Sequence, residues 1–549
     1  MPVDGAQYGG FRPVLGVGRR PSGSPLPPIA LVTLRSALNA SALAPIRRHR
    51  PTLALAPLGL ATAVGAGLRF GTLAHQGYWF DEGVTVLLVH QHVGHMLNLL
   101  PREESAPPLY YCVAWVWAHL FGTREAGLRS LSALAGTATI PLAYALGSEL
   151  ASRRVGAVAA GLTACSPLLV WYSQEARSYS LLVLLTGAAT LFFLRAMSRP
   201  AGRDLAAWAL ASALALTTHY YAVVAVAPQA AWLLAVHRFR PRALLALGGV
   251  AAVGAALLPL AISQRGTGHT NWIGRIPLDR RLDQLRDQFI GWIGAPRLPF
   301  LLGAGGLALG AVLLLRSDHG ERRGAVVAAA LGAAGLGLAL GLVAINVDDF
   351  LSRNVIAVWL PLALAVAIGM GSRRAGVLGP VTALVVCGAW ISLNVAINTD
   401  RVLQRPDWRR VSAALGPAGT PRLIVLKNHA QAVPLRLYQP GLERMRGIVP
   451  VAVRELDVVG NHIPKPMRFC WWGPSCNLRR APLPSRPPPG FHRFALVRTP
   501  IFRVWRLASR HPRRLHTFTL RRELGDIGIG AALLQIPGRG TTALARWPA

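Results

Sequence analysis

Two adjacent acids, Asp81 and Glu82, follow Tyr78-Trp79-Phe80 where the chain leaves its first long apolar run. Carboxylates at such a boundary are costly unless they are solvated or used. One reading is a solvated loop start. The other is a general base that takes the proton of a hydroxyl acceptor as it attacks an anomeric carbon. A phosphate leaving group in that reaction needs no general acid, but it needs positive charge nearby. Arg129, Arg177 and Arg353 lie at ends of apolar runs where they could meet such a phosphate, and Glu175 lies two residues before Arg177. His219 and Tyr220 also end an apolar run, either as hydrogen-bonded boundary residues or as substrate contacts. Asp348 and Asp349 either hold a divalent cation such as Mg or Mn or cap the helix that follows. His90, His92 and His95 find no acid at a spacing that would complete a zinc site.

The elements that must position these residues are membrane helices. Of the 549 residues, 52% are hydrophobic and only 15% are charged, and the mean hydropathy is +0.39; soluble proteins carry about 25% charged residues. The net charge of +35 rests almost wholly on Arg, with Lys427 and Lys465 the only lysines. Those Arg residues cluster at the ends of apolar runs, as orientation signals do, so nucleic acid is not an expected partner. About eleven runs approach the ~20 residues a bilayer needs: 51–70, 127–150, 155–172, 179–197, 204–218, 220–236, 242–262, 298–315, 324–345, 354–371 and 376–397. The apolar stretch 108–122 is shorter. If it does not span, every compact basic cluster, from Arg47-Arg48 through Arg153-Arg154 and Arg322-Arg323 to Arg373-Arg374, falls on one side. It is therefore assigned as juxtamembrane, with a cytoplasmic N-terminus and no cleavable signal sequence.

The opposite side then receives the loop 71–126, the turn 173–178, residues 217–221, the loops 263–297 and 346–354, and the tail from 399 to 549. The sequence thus divides into a cytoplasmic segment 1–48, a membrane domain 49–398 and an exoplasmic C-terminal domain. Strand-like runs at Leu423–Leu426 and Val451–Val453 give that domain a small α/β character. Its Arg- and Pro-rich end, from about 480, reads as partly disordered. Cys470 and Cys476 flank a Gly-Pro turn on the side that permits a disulfide, and a zinc site would lack a second pair of ligands. Cys112, Cys165 and Cys387 lie in apolar helices as packing residues.

Ordered short motifs carry a family resemblance: Trp79-Phe80-Asp81-Glu82-Gly83, Ala106-Pro107-Pro108-Leu109-Tyr110-Tyr111, Phe121-Gly122, Arg129-Ser130-Leu131-Ser132, Ser166-Pro167 and Tyr172-Ser173-Gln174-Glu175-Ala176-Arg177-Ser178-Tyr179. Together they resemble the dolichyl-phosphate-mannose protein mannosyltransferase and aminoarabinose transferase superfamily. The likeness is to bacterial glycosyltransferase family 39-like proteins of the GT-C fold, over roughly residues 50 to 400. The resemblance implies a polytopic α-helical fold with juxtamembrane helices in the first outer loop. It implies Asp81 as catalytic base with Glu82 completing the pair, an important Arg at position 129, and an assisting acid at Glu175. It also implies a late Arg, Arg353, as a lipid-phosphate partner. Arg405-Pro406-Asp407-Trp408-Arg409 also recurs in bacterial members, with no role assigned. Ala106 stands where the protein mannosyltransferases carry His, and their large sugar-recognition domain is absent.

The expectation is therefore a multi-pass plasma-membrane glycosyltransferase. It would move a hexosyl or pentosyl group from a polyprenyl-phosphate sugar to a protein, glycolipid or polysaccharide hydroxyl among membrane lipids. Two other classes compete. A transporter or flippase of lipid-linked sugars would show ionisable residues at mid-span and broken helices in paired halves. A non-catalytic scaffold would have no need of the Asp81-Glu82 pair.

Overall fold

The computed structural model describes residues 55–198, 201–237, 240–445, 450–461, 487–498, 502–516, 520, 522–524 and 530–538. Among the described residues, sixteen α-helices precede the C-terminal domain. They are α1 Leu55–Phe70, α2 Phe80–Val89, α3 Val93–Glu103, α4 Leu109–Phe121, α5 Glu125–Leu150, α6 Arg153–Cys165, α7 Pro167–Ser173 and α8 Tyr179–Ser198. They continue as α9 Gly202–Thr218, α10 Val223–His237, α11 Pro241–Gly266, α12 Leu278–Ile290, α13 Arg297–Leu313, α14 His319–Ala344, α15 Trp359–Gly371 and α16 Leu378–Thr399.

Every one of the expected spans coincides with a helix or helix pair. Among the described residues, seven helices are long and apolar enough to cross a membrane, and eight if α6 and α7, bent by 57° at Ser166-Pro167, form one span. The bend has a local cause: Ser166 caps α7 and Pro167 cannot continue the ladder of α6. Helices α1, α9 and α15 are shorter, with 16, 17 and 13 residues. Leu245, Leu258, Ile262, Leu298, Leu301 and Leu384 are exposed on the bundle's outside, the surface lipid would cover. Inside, α5 and α6 approach until a methyl group at Gly147 would lie 2.9 Å from the Gly156 Cα, the small-residue contact by which membrane helices pack.

The stretch 108–122 is helix α4. Its 13 residues extend about 20 Å, too short for a ~30 Å hydrocarbon core. Helices α2 and α3 lie in the same loop. They pack with α4 through Val86, Leu87, Met96, Leu100, Tyr110 and Tyr111 into a small core that Leu128, Leu131 and Val433 also join.

Two groups of loops meet at the ends of the helices. At one end Arg154 donates to the Gly376 carbonyl, and Glu321, part of the capping box that starts α14, accepts from Ser372 Oγ and the Arg373 N–H. The acidic loop 71–126, the turn 173–178 and the loop 346–354 gather at the other.

The C-terminal domain adds α17 Trp408–Leu415, α18 Ala432–Tyr438 and six strands: β1 Arg422–Leu426, β2 Leu442–Arg444, β3 Val451–Asn461, β4 His492–Arg498, β5 Phe502–Leu515 and β6 Ala531–Gln535. The sheet order is β2-β6-β1-β3-β5-β4, with only the β1–β3 pair parallel. Fully buried β1 alternates between two cores. Ile424 and Leu426 join Trp408, Leu435 and Phe502 on one face, and Leu423 and Val425 join Leu456, Val458 and Trp505 on the other. Within the described residues, the end of the chain carries strands β4, β5 and β6. In β5, Phe502 and Val504 are buried in one core and Trp505 and Leu507 in the other, with Arg503 and Arg506 interspersed among them. Cys470 and Cys476 lie outside the described residues.

Candidate active site

Helix α2 begins at Phe80 after an extended Trp79 that offers no side-chain cap. Asp81 and Glu82 stand in its first turn, where the helix dipole favours carboxylates. Burial then separates them. Glu82 is completely buried. Its Oε1 accepts from Arg129 Nε (2.7 Å) and the Ala176 N–H (2.9 Å), and its Oε2 accepts from Arg129 Nη2 (2.6 Å). Arg129 also donates to the carbonyls of Leu73, Gln76 and Gly77. All five guanidinium N–H groups are thereby used. Burial alone would raise the Glu82 pKa; the charge and hydrogen bonds of Arg129 more than offset it and hold the carboxyl below its usual range. The sequence places Arg129 as a substrate contact; in the structure its donors are all engaged within the protein. It has no donor left for a phosphate and instead joins α2, α5 and the loop 73–77.

Asp81 keeps some solvent contact, and its Oδ2 accepts from Arg353 Nη1 at 3.0 Å; the two side chains are 16% and 17% exposed. Arg353 comes from the loop before α15 and lies against the rings of Trp79 (5.9 Å) and Trp272 (5.7 Å). Its Nε is buried with no hydrogen-bond partner among the described residues.

Two further ion pairs surround this one. Arg177 is held by both oxygens of Glu104, at 2.5 and 2.9 Å, and also reaches the Asp81 carbonyl at 3.3 Å. Glu175 is buried. Its Oε2 meets Arg405 at 3.0 Å while its Oε1 has no partner among the described residues. Burial raises the Glu175 pKa and Arg405 only partly opposes this. Arg405 stacks on Trp171 at 4.0 Å.

His219 is buried, and its Nδ1 accepts the Tyr221 N–H at 3.1 Å. Burial, then the charges of Arg177 and Arg353, press its pKa down to about 3. The ring is thus a neutral neighbour of the cluster. Tyr220 points elsewhere: its hydroxyl donates to Gln264 (2.8 Å), whose amide holds the Leu100 and Ala106 carbonyls. Asp348 is paired with both terminal nitrogens of Arg281, which holds its pKa down. Among the described residues, no three His, Cys, Asp or Glu side chains form a group that could hold a metal ion.

Sequence reading did not find Glu104, Arg281 or Trp272. The segment from Arg405 to Arg409 is singled out in the sequence without a role. In the structure Arg405 closes on Glu175, and Arg409 donates to the carbonyls of Ala74 and His75.

With this geometry the chain can be compared with known proteins. Residues 105–262 match the profile of the dolichyl-phosphate-mannose-protein mannosyltransferase family. No curated protein matches the sequence. Among solved structures, ArnT from Cupriavidus metallidurans bound to undecaprenyl phosphate is similar at 13% identity, with a TM-score of 0.47 over 82% of this chain and 97% of that one. The Archaeoglobus fulgidus oligosaccharyltransferase in its apo form is similar at 12% identity and a TM-score of 0.43, covering 70% of this chain and 64% of that chain. Arabinofuranosyltransferase AftD from Mycobacteria is similar at 17% identity and a TM-score of 0.44, over 83% of this chain and 40% of that one. The chain thus spans less than two thirds of the archaeal enzyme's length and less than half of AftD's. The profile match covers the segment that carries Arg129, Glu175 and Arg177, and it begins after the α2 and α3 helices.

Proposed function

We propose that this protein transfers a sugar from a polyprenyl-phosphate donor to a hydroxyl acceptor at the outer face of the plasma membrane, inverting the anomeric centre. The observation that carries the reading is the division of labour between Asp81 and Glu82. One carboxylate is locked by Arg129, and the other stays accessible, opposed by a single cation whose Nε is unused.

The phosphate of the donor competes with Asp81 for Arg353. Once it takes the guanidinium, Asp81 is released from its ion pair and accepts the proton of the acceptor hydroxyl. The acceptor oxygen forms its bond to C1 as the C1–phosphate bond breaks. The polyprenyl phosphate leaves with both electrons of that bond, its charge stabilised by Arg353. A single displacement inverts C1. The same ion pair lies at the bundle end opposite the basic loops, which supports an outer-face site and a cytoplasmic N-terminus. The acceptor hydroxyl belongs to a protein, a glycolipid or a polysaccharide.

The experiment uses purified protein in lipid with a panel of radiolabelled polyprenyl-phosphate sugars and a membrane extract as acceptor. Label passing from one donor to the extract supports the reading. Movement of an intact lipid-linked sugar across vesicles, without transfer, replaces it with the transporter reading.

A further inference from the structure

Helix α2 must be held in place if Asp81 is to meet both Arg353 and a substrate, and it lacks a side-chain cap of its own. Two contacts that fix its start and depth come from the C-terminal domain. The Tyr438 hydroxyl, at the end of α18, accepts the Tyr78 N–H at 2.6 Å and donates to Glu125 Oε1 at 2.7 Å. Val433, also on α18, is buried in the core that α2 forms with α4. At Gly83, one helical step past Glu82, an added methyl group would stand 2.8 Å from Val433 Cγ1. The linker adds the Arg405 N–H to Gln76 Oε1 at 2.9 Å, just upstream of the helix.

We infer that α18 is the positioning element of the catalytic base: Tyr438 and Val433 set the start and the depth of α2, so the C-terminal domain is part of the active-site machinery. The inference rests on the reading of Asp81 as the base. Tyr438 acts through α2 and touches no reacting atom, so it is a positioning residue. An uncapped first turn frays readily because its N–H groups have no intrahelical partner. Tyr438 pins the chain at Tyr78, two residues before the helix begins.

The test uses the full chain in lipid nanodiscs and reads amide hydrogen exchange over residues 78–89 beside transfer kinetics. Tyr438→Phe removes both hydrogen bonds and keeps the ring. Exchange over these residues should rise by about tenfold or more, and kcat should fall by roughly 10- to 100-fold with KM for the donor near that of the wild type. Gly83→Ala is the sharper probe. On helix propensity alone it would protect α2 by about 1 kcal/mol, roughly fivefold in exchange. The clash with β-branched Val433 should instead raise exchange, and Val433→Ala in the same chain should restore protection. Exchange unchanged in Tyr438→Phe, or lowered in Gly83→Ala, overturns the inference whether or not transfer is detected. A wild type that transfers nothing, with exchange behaving as expected, counts against the proposed function and leaves the positioning contact standing.

Discussion

At the residue scale, Asp81 and Glu82 are neighbours with nearly the same chemistry, and their surroundings assign them different work. Glu82 and Arg129 are both desolvated, so removing either partner strands a charge in the protein. Loss of one member of such a pair costs about 3–5 kcal/mol. Glu82→Gln should therefore lower the melting temperature of the purified protein markedly, whereas Asp81→Asn, at a partly exposed pair, should change it little. Differential scanning fluorimetry of the two variants separates these outcomes. The pH dependence follows from the direction of the Glu82 shift. Its folded pKa lies below the ordinary 4.5, so the folded state binds the proton less readily than the unfolded chain. The stability it contributes is complete above about 4.5 and is lost as pH falls through the folded value. Melting curves across that range should show a steep acid-side loss in the wild type.

At the scale of elements, the short apolar helix α4 and the bend at Ser166-Pro167 follow from length and from proline chemistry, which a sequence displays directly. The pairings that build the site do not, because they are long-range. Arg129 finds Glu82 across 47 positions and Arg405 finds Glu175 across 230. Neither arginine's motif distinguishes a phosphate ligand from an internal counter-ion. Donor accounting separates Arg129, which has none to spare, from Arg353, whose Nε is unused, as is that of Arg405 against Glu175. This yields a prediction for the loop before α15. Arg353→Ala should weaken binding of undecaprenyl phosphate by about 10- to 100-fold, the worth of one charge-assisted contact, while Arg129→Ala should act mainly through stability. Binding of undecaprenol, which lacks the charge, should be unaffected in Arg353→Ala. Microscale thermophoresis in detergent measures all three.

At the scale of the whole molecule, the helical domain was legible because twenty-residue apolar runs and Arg-rich loops are collective signals that survive any local error. The C-terminal sheet was legible only at Leu423–Leu426 and Val451–Val453. In β5 both faces are buried, Phe502 and Val504 on one and Trp505 and Leu507 on the other, so no single hydrophobic period stood out among its arginines. That sheet encloses a second buried charge cluster, in which Asp457 lies between Arg422 and Arg506 with Glu455 beside it. Burial, then repulsion from Glu455, pushes the Asp457 pKa from 3.8 to about 7 in spite of the two arginines. The folded domain thus holds a proton that the unfolded chain releases. Stability from this group should fall as pH rises between about 4 and 7, opposite in sign to Glu82 and in a higher window. Thermal unfolding of the full chain across that range should show the decline, and Asp457→Asn should flatten it.

The central claim is that Asp81 is the group that takes the acceptor's proton. Its most direct test is single-turnover transfer from the donor the wild type uses, comparing wild type with Asp81→Asn in protein that melts normally and still binds undecaprenyl phosphate. The account predicts a loss in rate of at least about 100-fold with donor binding retained. Transfer by Asp81→Asn at the wild-type rate would contradict it.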